Sequence, residues 1–315
     1  MSCFSAGGFA QSQGPSDLKL NSHDKLVSAN QPIHVDVNLA LVTVTVTDPY
    51  NRQVSGLEPD NFRVFEDKVE QEVVTFSCED VPVSVGIILD LSGSMANKIG
   101  KAREAVLQFF RTSNPEDEFF LVGFNDRVGM LTPFTTNVED LQSRLLTVSA
   151  KGSTALLDAI YIGLAQMKTA RFSKRALLII SDGGDNHSRY TERDIKRLVQ
   201  EADTQLYAIG IVDPLPNRGR TEEELYGPTL LSEVTEQTGG RAFFLDDLNQ
   251  LPDMAMKIST ELRNQYILGY HPSNKTQDGR WRKIKIKLRA PKGLPPLSVY
   301  AKTGYYASAY SAAGN

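Results

Sequence analysis

Strand-length apolar runs alternate with helix-length amphipathic stretches across residues 83–263, and this alternation constrains the fold more than any other feature of the sequence. Two of the runs, VSVGIILD and RALLIIS, are predominantly apolar at odd and even positions alike. A strand of this kind must be covered on both faces, which is typical of a parallel sheet with helices on either side. The block therefore predicts an α/β fold with a doubly wound, mostly parallel sheet.

The boundaries of the predicted elements follow from where the hydrophobic period changes. The strands are expected at residues 83–89, 118–124, 128–131, 176–180, 205–211 and 241–244. Between them, apolar residues recur at intervals of three and four, as in amphipathic helices. The helices are expected at residues 96–112, 138–147, 155–169, 192–202, 229–238 and 250–263.

Outside this block the apolar residues alternate with a period of two, as half-buried strands require. Before the block they fall on one face up to Leu41 and on the opposite face from Val42 onward. A β-bulge at this point, or a break between two short strands, would explain the change of phase. After the block, residues 283–288 alternate lysine with apolar residues, and we interpret the lysine row as the solvated face of a strand.

We expect the early and late β segments to form one small antiparallel β domain into which the α/β domain is inserted. The ends of an inserted domain usually lie close together, and a few short strands alone form a marginal sheet. Three separate units in a row are the alternative. The expected boundaries are 1–31 for a disordered terminus or signal remnant, 32–80 and 264–308 for the two parts of the β domain, 81–263 for the α/β domain, and 309–315 for a tail.

Composition excludes several classes of protein. Lys and Arg total 34 against 38 Asp and Glu, so the net charge of -4 provides no positive field for nucleic acid. Cys3 and Cys78 are too few for a disulfide framework or a cysteine-rich zinc site, and the sequence leaves open whether they pair. No stretch approaches the roughly 20 apolar residues of a membrane span.

The first residues indicate export. Residues 1–13, MSCFSAGGFAQSQ, are small and mildly apolar, and Gly8 to Gln11 are similar to the tail of a signal-peptide cleavage site, although a basic n-region is missing. We expect a periplasmic, cell-surface or secreted protein whose signal peptide is truncated in this sequence. A plain disordered terminus is the alternative.

Three polar motifs lie at the ends of predicted strands or the starts of predicted helices, where open α/β sheets bind ligands. The first strand runs into a D-x-S-x-S loop at residues 90–94, whose carboxylate and two hydroxyls turn toward one point. Such hard oxygen ligands suit Mg²⁺, although a capping Asp and a common Ser-Gly-Ser loop would explain this motif alone. The other motifs are Gly152-Ser153-Thr154 before a helix and Ser181-Asp182-Gly183 after a strand.

In this order and at these separations, D-x-S-x-S, G-S-T-A-L-x-D-A and I-S-D-G resemble the von Willebrand factor type A domain with its metal-ion-dependent adhesion site (MIDAS). The resemblance covers roughly residues 81–262. It implies that Ser92 and Ser94 bind Mg²⁺ through their hydroxyls, with Mn²⁺ or Ca²⁺ as alternative ions. It also implies that Thr154 binds directly or through water, and that Asp90 and Asp182 hold coordinated waters.

The flanking segments are similar to bacterial proteins labelled VWFA-related, a group frequent in acidobacterial genomes. The segments that carry this similarity are VTVTDPYNRQVSGLEPDNFRVFED, SDGGDNHSR, YILGYHPSN, DGRWRKIKIKL and TGYYA. These proteins usually carry an export signal, which agrees with the expectation for the first residues. Asp185, within the second segment, is assigned to a turn rather than to the site.

The resemblance implies an adhesion or protein-binding module that recognises an exposed Asp or Glu of a partner protein through the metal ion. The loops that carry Asn97, Asn125, Asp126 and His187 are expected to form the rim that selects the partner. We expect no catalytic residue, because the chain has four His and no H-E-x-x-H, G-x-S-x-G or phosphate loop. The alternatives are a scaffold with a non-essential metal site and, less favoured, a metal-dependent hydrolase.

Overall fold

The computed structural model describes residues 39–212 and 222–307. The terminus or signal remnant expected at 1–31 and the tail expected at 309–315 lie outside these ranges. Within them, no helix is long and apolar enough to cross a membrane.

The strands fall into three groups along the chain, before, within and after the α/β block. Before the block lie β1 (Ala40–Thr47), β2 (Phe62–Glu66), β3 (Val69–Gln71) and β4 (Val73–Ser77). Within it lie β5 (Ser84–Asp90), β6 (Glu118–Phe124), β7 (Val128–Thr135), β8 (Arg175–Ser181), β9 (Gln205–Ile211) and β10 (Ala242–Leu245). After it lie β11 (Tyr266–Tyr270), β12 (Trp281–Leu288), β13 (Ser298–Ala301) and β14 (Gly304–Tyr306).

The helices all lie within the α/β block. They are α1 (Ile99–Thr112), α2 (Val138–Thr147), α3 (Leu156–Met167), α4 (Glu192–Glu201), α5 (Glu222–Gln237) and α6 (Leu251–Arg263).

A six-stranded sheet in the order β10-β9-β8-β5-β6-β7 forms the centre of the block. Neighbouring strands are parallel except β6 and β7, which are antiparallel. Ile87 and Leu89 pack into a core with α1 and α6, whereas Ile88 packs into a second core with α3 on the other face. This confirms the predicted doubly wound, mostly parallel sheet.

Three element boundaries differ from the prediction by three residues or more. The first helix begins at Ile99 rather than at 96, because residues Gly93–Met95 form a 3₁₀ turn before it. Strand β7 continues past residue 131 to Thr135, since it is an edge strand and there tolerates the missing N–H of Pro133. Helix α5 begins before residue 229 and contains Pro228, a residue that more often marks a helix start.

The flanking strands form two four-stranded antiparallel sheets, in the orders β13-β1-β11-β4 and β14-β12-β2-β3. Strands from before the α/β block therefore pair with strands from after it. Val44 of β1, Val64 of β2 and Ile284 of β12 share one core between the two sheets, so the flanks form a small β-sandwich. That this sandwich would fold without the α/β block stays a prediction.

Strand β1 explains the change of hydrophobic phase at residues 41 and 42. Its register with β11 runs without interruption from Ala40, so the described strand has neither the expected bulge nor a break. Val42 is fully buried, whereas Leu41 is 48% exposed on the other face. Gly269 of β11 lies beside Leu41 and leaves room for its side chain on that outer face.

A buried ion pair of the α/β block lies where that block meets the sandwich. Arg241, directly before β10, binds Glu261 of α6 at 2.8 Å and also donates to Asn51 of the sandwich. The hydroxyl of Tyr207 donates to Glu261 at 3.0 Å and accepts from the amide of Gln265 at 3.1 Å. Burial raises the pKa of Glu261, and Arg241 opposes that shift.

We predict that Glu261→Ala destabilises the protein by about 3–5 kcal/mol, because it leaves the buried Arg241 guanidinium without its counter-charge. Glu104→Ala is the control, since Glu104 pairs with Lys101 on the surface of α1 and its loss is expected to cost less than about 0.5 kcal/mol. Urea denaturation of both variants measures the difference. Equal destabilisation would contradict the role given to the pair.

Candidate metal-binding site

The predicted site residues lie in loops at one edge of the central sheet. Asp90 is the last residue of β5, and Asp182 directly follows the adjacent parallel strand β8. Ser92 and Ser94 lie between β5 and α1, and Thr154 lies two residues before α3. The fold thus brings the three motifs to the carboxyl ends of neighbouring strands.

The Asp90 carboxylate is fully buried and held by both of its oxygens. Its Oδ1 accepts from the backbone N–H of Ser92 at 2.8 Å, and its Oδ2 accepts from the hydroxyl of Ser181 at 2.6 Å. Ser181 in turn accepts from the backbone N–H of Gly183 at 3.0 Å. Two hydrogen bonds therefore fix this carboxylate between the β5 and β8 loops.

Electrostatics at Asp90 favour a cation nearby. The pKa of Asp90 is raised to about 6, first by burial and then by the charge of Asp182, while hydrogen bonds from Ser181 and Ser92 oppose this rise. Two carboxylates close to one point in a water-poor environment repel each other. A positive charge between or beside them relieves that repulsion.

The two serine hydroxyls of the D-x-S-x-S loop lie side by side. Ser92 Oγ and Ser94 Oγ are 3.0 Å apart, with Ser92 buried and Ser94 exposed. The fully buried Met95 anchors the turn that follows. Adjacent oxygen ligands of octahedral Mg²⁺ are also about 3 Å apart, given Mg–O distances of about 2.0–2.1 Å. The pair therefore has a separation suited to two neighbouring metal ligands as well as to a hydrogen bond.

Backbone hydrogen bonds attach the loop before α3 to the D-x-S-x-S loop. The N–H of Gly93 donates to the carbonyl of Gly152 at 2.9 Å, and the N–H of Lys151 donates to the carbonyl of Leu91 at 2.7 Å. Gly152 has a φ of 86°, and a Cβ there would come within 2.4 Å of Asp126 Oδ1. Only glycine fits this position without movement of Asp126.

The chain after Asp182 surrounds Thr154, which is almost completely buried. The Thr154 carbonyl accepts from the backbone N–H groups of Asn186 and His187, both at 3.0 Å. The Asn186 side chain accepts from the Thr154 N–H at 2.9 Å. Asp185 accepts from the N–H of Leu157 at 3.2 Å, so its carboxylate caps the start of α3. The interpretation of Asp185 as a local structural residue agrees with this contact.

Helix α5 packs directly on the loop that carries Asp182. Gly227 lies so close to Gly183 that a Cβ on Gly227 would meet the Gly183 carbonyl oxygen at 2.0 Å. Gly183 itself has a φ of 91°. This backbone contact fixes the course of the chain immediately after Asp182.

Three of the four predicted rim residues lie against the Thr154 loop. Asn125 accepts through its carbonyl from the N–H of Ala155 at 2.9 Å, Asp126 lies beside Gly152, and His187 contacts the Thr154 carbonyl. Asn97 is exposed in the segment that leads into α1. Contact of these residues with a partner stays a prediction.

Lys98 also lies at the site, although no sequence motif points to it. Its ammonium lies 2.9 Å from Asp182 Oδ2, and the two side chains are only 17% and 13% exposed. The hydrogen bond from Ser181 to Asp90 was not predicted either, although I-S-D-G places Ser181 directly before the predicted ligand Asp182. Lys98 had no such signal, because a lysine before a helix is common on protein surfaces.

The donors gathered here are carboxylate and hydroxyl oxygens. Within residues 39–212 and 222–307, no cluster of three or more His, Cys, Asp or Glu suited to a metal ion occurs. The candidate site instead combines two carboxylates, at Asp90 and Asp182, with three hydroxyls. Hard oxygen donors of this kind fit Mg²⁺, Mn²⁺ or Ca²⁺.

Comparisons with known proteins find a domain match within the α/β block. Residues 85–184 match the family model of the von Willebrand factor type A domain. An uncharacterized protein of Borreliella burgdorferi is 25% identical over 182 residues, which are 51% of this chain and 53% of that protein. The human inter-alpha-trypsin inhibitor heavy chain H3 is 25% identical over 152 residues, 44% of this chain and 16% of that protein. The matched part thus spans about half of the first relative and about a sixth of the second.

A solved structure has the same fold. The von Willebrand factor type A protein from Catenulispora acidiphila aligns with a TM-score of 0.51 at 13% identity, over 85% of this chain and 75% of that chain. At this identity the likeness concerns the fold alone. The residues that match the family model, 85–184, include both site carboxylates, Asp90 at the end of β5 and Asp182 directly after β8. Residues 85–184 therefore match the von Willebrand factor type A domain, and the α/β block that contains them has the fold of that domain.

Proposed function

We propose that the loops at the carboxyl edge of the sheet bind Mg²⁺ and, through this ion, an acidic residue of a partner protein. The observation that carries the proposal is the pair of Ser92 and Ser94 hydroxyls in the loop that directly follows the fully buried Asp90 carboxylate, which also feels the charge of Asp182. Burial makes an unpaired negative charge costly, so a cation at this point is strongly favoured.

The proposed ligands divide into neutral and charged groups. Ser92, Ser94 and Thr154 would supply hydroxyl oxygens, and Asp90 and Asp182 would hold coordinated waters. Because the directly bound groups are neutral, the charge of the ion is only partly compensated. An octahedral Mg²⁺ with a water at its remaining position exchanges that water for a better oxygen donor, and a carboxylate of a partner is such a donor.

Partner selection is assigned to the surrounding loops. Asn125, Asp126 and His187 belong to chain segments that contact Thr154 or its loop, and Asn97 lies exposed next to the serine loop. Polar groups around a buried central contact decide specificity and association rate more than affinity. We propose that these four residues line the rim. We also propose that the protein is exported and meets its partner outside the cytoplasm.

Binding is favoured over turnover as the role of this site. The imidazole of His187 is exposed at the rim, and its backbone N–H donates to Thr154. A general base must lie within hydrogen-bond reach of the proton it removes. A turnover screen of metal-loaded protein against phosphoesters, peptides and glycans tests the hydrolase alternative.

We predict that Mg²⁺ or Mn²⁺ raises the Tm, because an ion that binds only the folded state stabilises it by about 2.7 kcal/mol at one hundred times its Kd. In Asp90→Asn this response is expected to disappear. The metal-free variant should be about as stable as the wild type, since Asn still accepts from the Ser92 N–H and removes a buried charge, which offsets the loss of the acceptor for the Ser181 hydroxyl. Thermal unfolding with and without chelator measures both effects.

The serine ligands provide a second test with a matched control. Ser92→Ala combined with Ser94→Ala is expected to weaken the metal response, whereas Ser143→Ala, on the exposed face of α2, should respond like the wild type. The same metal-induced rise in Tm in wild type and Asp90→Asn would show that the ion binds elsewhere.

We predict that a partner recovered in the presence of Mg²⁺ is released by a chelator. The double serine variant should fail to capture it, because removal of two metal ligands removes the ion through which the partner binds. Neutralising one acidic residue of the partner should have the same effect. Pull-down with quantitative immunoblotting measures retention in each case. Retention that survives both the chelator and the serine substitutions would move the search to the β-sandwich.

A further inference from the structure

A lysine ammonium lies against the site where the metal ion is proposed to bind. Lys98 Nζ donates to Asp182 Oδ2 at 2.9 Å, and both side chains are mostly buried. The comparable pair on the same helix, Lys101 with Glu104, is 38% and 55% exposed. Surface pairs such as the second contribute little, whereas partial burial strengthens the first.

The backbone holds Lys98 in position to reach Asp182. Its N–H donates to the carbonyl of the fully buried Met95 at 2.8 Å, and its own carbonyl accepts from Ala102 at 3.0 Å as α1 begins. The loop that carries the Ser94 hydroxyl therefore also carries a cation, four residues later in the chain. This cation is directed to the other motif of the site.

We propose that Lys98 is a built-in competitor of the metal ion, an inference that rests on the proposed metal-binding function. In the metal-free protein its ammonium supplies a positive charge beside Asp182. This charge reduces the repulsion between the carboxylates of Asp182 and Asp90. A divalent ion held by the same carboxylates would lie close to that ammonium, and like charges at short range repel. Metal binding therefore requires the flexible lysine side chain to leave Asp182.

Two consequences follow for the behaviour of the site. The metal-free fold is stable, because the carboxylate pair is partly neutralised from within the chain. The affinity for the ion is lower than the oxygen donors alone would give, because the ion pair must be broken first. The equilibrium lies between the state with the Lys98–Asp182 pair and the metal-bound state. A partner carboxylate stabilises only the metal-bound state, so metal and partner strengthen each other's binding.

A purely structural ion pair makes a different prediction. If Lys98 only stabilised the start of α1, removing its charge would lower the Tm and leave the metal affinity unchanged or weaker. Competition instead requires opposite effects on the two quantities. Lower stability without metal and tighter binding of metal together distinguish the two roles.

The test is Lys98→Met, with Lys98→Gln as a second variant in case the first fails to fold. Lys98→Arg retains the charge, and Lys101→Met removes the same charge from the exposed pair on α1. Mn²⁺ affinity is measured by isothermal titration calorimetry, and the Tm is measured in chelator. We expect Lys98→Met to lower the Kd for Mn²⁺ by about tenfold or more and to lower the metal-free Tm by a few degrees. Lys98→Arg and Lys101→Met should keep the wild-type Kd within about threefold.

The possible results separate the competition proposed for Lys98 from the metal binding on which it rests. Tighter binding in Lys98→Met or Lys98→Gln supports competition, including the case in which the wild type binds too weakly to measure. Mn²⁺ binding that is unchanged or weaker in these variants overturns the competition and leaves the metal site intact. An unchanged metal-free Tm overturns the counter-charge role of Lys98. No Mn²⁺ binding in any variant overturns the metal site and the inference together.

Discussion

The candidate site depends on the buried carboxylate of Asp90, which one backbone N–H and one hydroxyl hold between two loops. Removing a carboxylate from water is costly unless its oxygens are bonded and a positive charge is near. The two bonds orient the group without neutralising it. Much of the surrounding chain is arranged around this demand, including the paired serines, the glycines that permit close backbone contact, and the lysine that reaches Asp182.

The β-sandwich lies at the opposite edge of the α/β sheet from the site. Its contacts with the α/β block involve residues at the amino ends of the parallel strands, among them Arg241 before β10, the backbone bond from Thr303 to Gln237, and the bridge between Thr238 and Lys302. Both crossings of the chain between the two parts, into β5 and out of α6, occur at this edge. The sandwich contacts named here thus lie away from the described loops that carry Asp90 and Asp182.

Periodicity in the sequence was sufficient for the fold class because each face of the sheet needs its own apolar cover, as Ile87 and Ile88 illustrate. The predicted ligands could be placed at one edge because parallel strands end together. Periodicity could not predict contacts between side chains that are distant in the sequence, such as Lys98 with Asp182 and Arg241 with Glu261. Such pairs depend on three-dimensional approach, and their residue types are equally common on solvated surfaces. The outward position of Leu41 was missed because the room for its side chain is left by Gly269, which is distant in the sequence.

The placement of the sandwich determines how a mechanical load would pass through the molecule. The described chain begins its first strand at Ala40 and ends its last at Tyr306, and both strands belong to the sandwich. Consider a force that holds the loops at the site edge and pulls on the chain at the first or last strand of the sandwich. Such a force would cross the whole α/β sheet along its strands. It would then meet the sandwich at two covalent crossings and at the hydrogen bond from Arg241 to Asn51. Strands pulled lengthwise share the load over many hydrogen bonds at once, so this arrangement resists extension better than one that peels the sheet from an edge.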